Sequence, residues 1–186
     1  VHILYAGKSH PNDEPGKRLI QDLYRVIKNA DTAGRMVFIE DYDMNVARYL
    51  VHGVDVWMNT PRRPHEASGT SGMKAALNGA LNFSVLDGWW PEAWNGKNGW
   101  RIGTEQTYPS DEAQDVADSK SLFDTLENEL IPLYYDKDED GIPHRWLQWV
   151  KESIVTCAPE FSTRRMVSQY FDTMYLGLGE ASPVAA

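Results

Sequence analysis

The sequence predicts an α/β fold with a parallel sheet covered by helices, and three observations carry that prediction. Short apolar runs rich in β-branched residues alternate with stretches of helical periodicity, which is the pattern of strand, crossover helix and strand. The connections are short and hold Gly, Pro, Asp and Asn. No internal repeat is present, so the elements belong to one layered unit rather than to a solenoid.

Taken in order, Val1 to Ala6 reads as a strand. Gly7 to Pro15 is a turn rich in Gly, Pro and Asp. Gly16 to Asn29 places Leu19, Ile20, Leu23, Val26 and Ile27 at helical spacing. Met36 to Ile39 is a second strand, Asn45 to Val51 a short helix and Val54 to Met58 a third strand. Asn59 to Gly69 is a loop, Thr70 to Asn78 a helix and Leu81 to Val85 a further strand. Asp111 to Glu129 predicts an acidic helix with Leu122, Leu126 and Leu130 on one face. Two more helices are expected over Pro143 to Cys157 and Ser162 to Leu178, the second packing Met166, Tyr170, Phe171 and Met174 inward. The closing residues, GEASPVAA, read as disordered.

Composition narrows the functional classes. A chain of 186 residues buries one substantial core and is short for two full domains. A formal charge of −9 argues against nucleic acid or an anionic membrane as partner and leaves neutral polysaccharide unaffected. One cysteine, Cys157, excludes an internal disulfide framework and suits a reducing, cytoplasmic setting; a lone cysteine of this kind packs in a core. No apolar run reaches the ~20 residues a membrane span needs, and no signal peptide is visible. The chain opens without methionine on VHILYAG, a strand already in progress, which leads to the expectation of an excised part of a longer protein.

Chemistry concentrates between Pro61 and Gly88, PRRPHEASGTSGMKAALNGALNFSVLDG. Glu66 precedes a run of small residues whose backbone N–H groups can approach a ligand. Thr70 and Ser71 then open a helix, where unpaired N–H donors and the positive end of the helix dipole receive a phosphate without any arginine. Lys74 follows about one turn along, an amine that, partly desolvated and facing phosphate, can form an imine with an aldehyde cofactor such as pyridoxal phosphate. Against this stands the plainer reading of a turn with an N-cap, which Thr70 or Ser71 satisfies with no ligand.

Other motifs fail. Gly7-Lys8-Ser9 lacks the earlier glycine of a phosphate loop, since His2 stands there. Asp136, Asp138, Asp140 and Gly141 imitate half of a calcium loop, but Leu147 occupies the place of the closing glutamate and Pro143 interrupts it. The five histidines show no ligand spacing, so no metal is expected. Trp89, Trp90 and Trp94 offer either a stacking platform for sugar or core contacts.

The string EASGTSGMK, followed by NGAL and LDG, resembles the cofactor loop of the α-glucan (glycogen/starch) phosphorylases, with Ser71-Gly72 replacing the Gly-Asn of the animal and plant enzymes. That departure and GWWPEAWNGKNGW resemble the shorter bacterial type. AGKSHPNDEPGKRLI and FIEDYDMNVARYL are similar to upstream segments of the family, and LIPLYYDKDEDGIPHRW and APEFSTRRMVSQYF to its closing helices, so the likeness spans nearly the whole chain.

The resemblance implies a Rossmann-like sheet forming residues 1–178 of a partial C-terminal domain, with residues 179–186 a disordered tail. The parent would be a two-domain (GT-B) glycosyltransferase with its active site between the domains. The implied reaction is phosphorolysis of a terminal α-1,4-linked glucose by inorganic phosphate, yielding glucose 1-phosphate. Lys74 would anchor pyridoxal 5'-phosphate, Thr70 and Ser71 hold its phosphate, and Tyr42 line its ring. Glu66, Ser68 and Gly69 would bind the sugar, and Lys74 and Glu66 are the catalytic candidates. The family's phosphate-gripping arginine and lysine would precede Val1, as would the N-terminal domain, so the chain alone is expected to be inactive. Two alternatives stay open. One is a cofactor-free glucan synthase type of the same fold, which would want an acid where Lys74 stands; the other is a non-catalytic glucan-binding module built on Trp89 to Trp100.

Overall fold

The computed structural model describes residues 1–29 and 34–176. It is a small α/β structure with five parallel strands in two sheets, and it divides into two compact units, Val1–Leu50 and Val51–Ala186.

In the first unit, β1 (Ile3–Ala6) pairs in parallel with β2 (Met36–Ile39), with Ile3 opposite Met36 and Ala6 opposite Ile39. Between them runs α1 (Glu14–Ile27). Its start is fixed by Asp13, whose carboxylate accepts from the Gly16 N–H at 2.9 Å. A side chain at Gly16 would meet that carboxylate at 2.3 Å, so the cap and the glycine require one another. The Tyr24 phenol donates to Glu40 at 2.5 Å, and that acceptor carboxylate pushes the phenol's pKa up. Helix α2 (Met44–Gly53) begins at Asp43, which accepts from Val46 N–H at 2.8 Å. Two strands and one helix enclose no core, and every fully buried residue among those described lies at or beyond Val51.

The second unit holds β3 (Val56–Asn59), β4 (Leu81–Val85) and β5 (Gly99–Ile102), all parallel and in that spatial order. All five residues of β4 are buried, as expected of a central strand covered on both faces. Leu81, Phe83 and Val85 join Trp100, Ile102, Leu130, Leu133 and Trp146 in the main core. Asn82 and Ser84 alternate with them and are also buried. Helix α3 (Thr70–Leu77) connects β3 to β4, and α4 (Trp90–Ala93) connects β4 to β5. Helix α5 (Asp111–Thr125) runs through a π-helical turn, Leu126–Leu130, into α6 (Ile131–Tyr135). Leu130 is buried and Leu122 and Leu126 pack against the same core, as their spacing predicts.

The closing helices are α7 (His144–Glu160) and α8 (Thr163–Tyr170), the latter continued by a π-helical stretch, Phe171–Leu176. Here the structure corrects the sequence expectation. Met166, Tyr170, Phe171 and Met174 are exposed, at 41, 50, 53 and 56%, because no described element packs over that face. The final GEASPVAA lies outside the described residues. Strand β5 and helix α4 were not foreseen, since no element was assigned between Val85 and Asp111.

Cys157 packs beside Ala76, Leu86, Trp89, Trp90 and Ala93, where burial pushes its thiol up. The acidic loop closes on itself: Asp138 accepts N–H bonds from Asp140 at 3.0 Å and Ile142 at 2.7 Å, and lies 2.8 Å from His144 Nε2. No cluster of metal-ligating side chains occurs among the described residues. None of the helices searched is long and apolar enough to cross a membrane.

Candidate functional site

The loop after β3 is held at two points before it reaches Glu66. Arg62 bonds Asp111 at 2.8 Å and grips both carboxylate oxygens of Asp115, at 3.1 and 2.6 Å, tying the loop to the start of α5. Arg63 donates to the Glu105 carbonyl. Both arginines next to the site are therefore already engaged.

Glu66 is set by the turn that follows β4. Its backbone N–H donates to Asp87 Oδ2 at 2.8 Å, while Asp87 Oδ1 accepts from Gly88 N–H at 2.9 Å. Trp89 N–H then donates to the Ser68 carbonyl at 2.9 Å. The two segments are so close that a side chain on Gly88 would stand 2.5 Å from the Ser68 carbonyl oxygen and 2.9 Å from Glu66 Cγ. Gly88 also adopts φ 58°, in the left-handed region. The Leu86-Asp87-Gly88 triplet thus acts as a clamp on the Glu66 loop, a role that sequence spacing alone did not reveal.

The chain enters α3 through Gly69, at φ 81°, and no side chain caps the helix. The plain N-cap reading for Thr70 or Ser71 is therefore not the arrangement found. Thr70 is exposed. The Ser71 hydroxyl accepts from the Trp57 indole N–H at 3.3 Å. Gly72 lies against the sheet, where Asn82 Nδ2 donates to its carbonyl at 3.0 Å and a Cβ would meet Asn82 Oδ1 at 2.6 Å. Asn82 Oδ1 is buried and has no hydrogen-bond partner among the described residues. With Ala75 and Ala76 wholly buried, this contact fixes which face of α3 turns outward.

Lys74 is on that outward face. It is exposed and makes no ion pair among the described residues. Glu66 is half-buried and Ser68 exposed. Glu66, Ser68, Gly69, Thr70, Ser71 and Lys74 thus form one continuous rim from the loop to the first turns of α3. Tyr42 belongs to the first unit, half-buried in the loop between β2 and α2.

Trp89, Trp90 and Trp94 serve the fold. Trp89 and Trp90 are 5% and 0% exposed. Trp90 Nε1 donates to the Trp100 carbonyl and Trp94 Nε1 to the Gly99 carbonyl, each at 3.1 Å, so both anchor β5. A stacking platform built on Trp89 and Trp90 is excluded, because their faces are not accessible. Sequence reasoning missed Asp87, Gly88, Asn82 and Trp57 as determinants of the site; the glycine in LDG was the available signal for a close approach.

Known proteins similar to this chain share one family. The carbohydrate phosphorylase family model matches residues 1–94. The chain is 51% identical over 175 residues to maltodextrin phosphorylase of Thermococcus litoralis, covering 94% of this chain and 20% of that protein. It is 48% identical to glycogen phosphorylase of Aquifex aeolicus, covering 94% of this chain and 25% of that protein. Against glycogen phosphorylase of Mycobacterium tuberculosis the identity is 42%, with 94% and 20% covered. The chain spans about a fifth to a quarter of the length of these relatives. With the family model covering half of its residues and the Glu66 to Gly88 rim inside that match, the chain belongs to the carbohydrate phosphorylase family.

Proposed function

We propose that this chain carries the cofactor wall of an α-glucan phosphorylase, which releases terminal α-1,4-linked glucose as glucose 1-phosphate at the expense of inorganic phosphate. The observation that supports it most directly is the start of α3. It is uncapped by any side chain, flanked by two hydroxyls, and followed one turn later by an exposed lysine.

That donor set fits pyridoxal 5'-phosphate. The first N–H groups of α3 and the hydroxyls of Thr70 and Ser71 would hold the cofactor's phosphate. The Ser71 oxygen already accepts from Trp57, which leaves its proton free to donate toward an anion. Lys74 would hold the aldehyde end. When bound, the cofactor supplies a phosphate whose second pKa is about 6 and that can share a proton with the attacking phosphate.

Glu66 would accept hydrogen bonds from sugar hydroxyls, its backbone being fixed by Asp87 so that little conformational freedom is lost on binding. Because the Ser68 carbonyl is occupied by Trp89, the N–H groups of Ser68 and Gly69 are the backbone donors toward the sugar. Residues 1–178 would form part of the C-terminal, Rossmann-like domain of a cytoplasmic GT-B enzyme. The remaining length of such an enzyme would supply the facing N-terminal domain and the cations for inorganic phosphate, so this chain by itself should not turn over glucan.

Two alternatives fare worse. A lysine where a synthase-type enzyme would want an acid speaks against the cofactor-free reading. The burial of Trp89, Trp90 and Trp100 leaves only the half-buried Trp94 for the Trp89 to Trp100 platform on which a pure binding module would rest. Borohydride trapping in the presence of pyridoxal phosphate, followed by peptide mapping, tests the proposal: a pyridoxyl adduct on Lys74 is expected. Labelling spread evenly over Lys74, Lys97 and Lys120 would contradict it.

A further inference from the structure

Two adjoining clefts, of about 420 and 600 Å³, open beside β5 on a part of the second unit that the Glu66 to Lys74 rim does not use. They share Trp100, Glu129 and Trp149. We infer that together they form a separate binding groove for a neutral oligosaccharide, with Trp149 as its floor and Glu129 as its principal hydrogen-bonding group.

Charge is the first argument. The groups lining the clefts include two guanidiniums, Arg101 and Arg145, and two carboxylates, Glu129 and Asp136. Arg145 is paired with Asp136 at 3.0 Å, and Arg101 sits over the Trp94 ring at 5.0 Å. The formal charges cancel, so the groove has no net attraction for phosphate or any other strongly charged ligand.

The remaining lining combines aromatic rings with small and hydroxyl-bearing residues and one amide, Asn128. Trp149 stacks on Trp100 with ring centroids 4.7 Å apart, which holds its indole rigid while it stays half-buried at the cleft. Tyr108 borders one cleft and Tyr135, 58% exposed, the other. Rigid aromatic faces beside planar carboxylate and amide groups are the combination that binds a sugar's apolar C–H face and its vicinal hydroxyls together.

Two features are otherwise unexplained. The π-helical turn Leu126–Leu130 interrupts an α-helix where Asn128 and Glu129 both line the groove, and such turns recur at functional sites. The Trp100 indole N–H is buried and has no acceptor among the described residues.

The choice of α-1,4-glucan as the sugar rests on the phosphorylase reading; the existence of the groove does not. The test is an NMR titration of the full chain, labelled at its indole nitrogens, with maltoheptaose. The Trp149 signal is assigned through Trp149→Phe. A saturable shift of the Trp149 indole N–H is expected, persisting in Glu66→Ala and weakened about tenfold in affinity by Glu129→Ala, whose exposed side chain is not needed for folding. No Trp149 shift in the wild-type chain, or an equal affinity in Glu129→Ala, overturns the inference. Failure of Lys74 to take up cofactor is read separately and does not affect this titration.

Discussion

Asp87 binds the backbone of Glu66 from twenty-one residues away, accepting its N–H at 2.8 Å with one oxygen while the other accepts from Gly88 at 2.9 Å. The carboxylate that stabilises the turn after β4 is therefore also the one that positions the rim of the site. Asp87→Ala should leave two N–H groups without their acceptor and lower stability by about 1–3 kcal/mol. Thermal unfolding measures this, and an unchanged melting temperature would show that water replaces the clamp at no cost.

Gly72→Ala should be destabilising by about 1–3 kcal/mol, since its Cβ would meet Asn82 Oδ1 at 2.6 Å. Shortening the opposing side chain opens that space. The double variant Gly72→Ala with Asn82→Ala should therefore be less destabilised than the sum of the two single changes, and strict additivity in denaturant unfolding would refute the contact.

The local structure of the candidate site was legible in the sequence where it depends on neighbouring residues. The helix beginning at Thr70 appears at its expected place, with the rim residues Glu66, Ser68, Gly69, Thr70 and Ser71 leading into it, because a glycine turn and a run of helix-forming residues need only their neighbours. What stayed hidden depends on partners distant in sequence. Strand β5 is four residues held by the indoles of Trp90 and Trp94, so its identity depends on contacts that no local pattern displays. The outward exposure of Met166 and Tyr170 was misread for a related reason: periodicity marks an apolar face but not whether a described element covers it.

Cys157 is 2% exposed and its thiol is pushed up by burial, with Thr156, Ser153 and Asn98 only partly offsetting that. Less thiolate and less access both slow attack. Reaction with a disulfide reagent at neutral pH should be at least about a hundredfold slower in the native chain than in denaturant; comparable rates would place Cys157 at the surface.

Asp138 titrates below the usual carboxylate range, first because Ile142 N–H bonds it and further because His144 faces it. A carboxylate depressed on folding adds stability above its unfolded pKa, and that stability is lost as pH falls through the lower folded value. Asp138→Asn should therefore flatten the stability profile below about pH 4. Parallel profiles for the two proteins in acid would contradict the assignment.

The most direct test of the central claim is the absorbance of the chain after incubation with pyridoxal phosphate and desalting, for wild type, Lys74→Ala and Lys97→Ala. The account predicts stoichiometric cofactor absorbance in wild type and Lys97→Ala and none in Lys74→Ala. Equal absorbance in all three would contradict it.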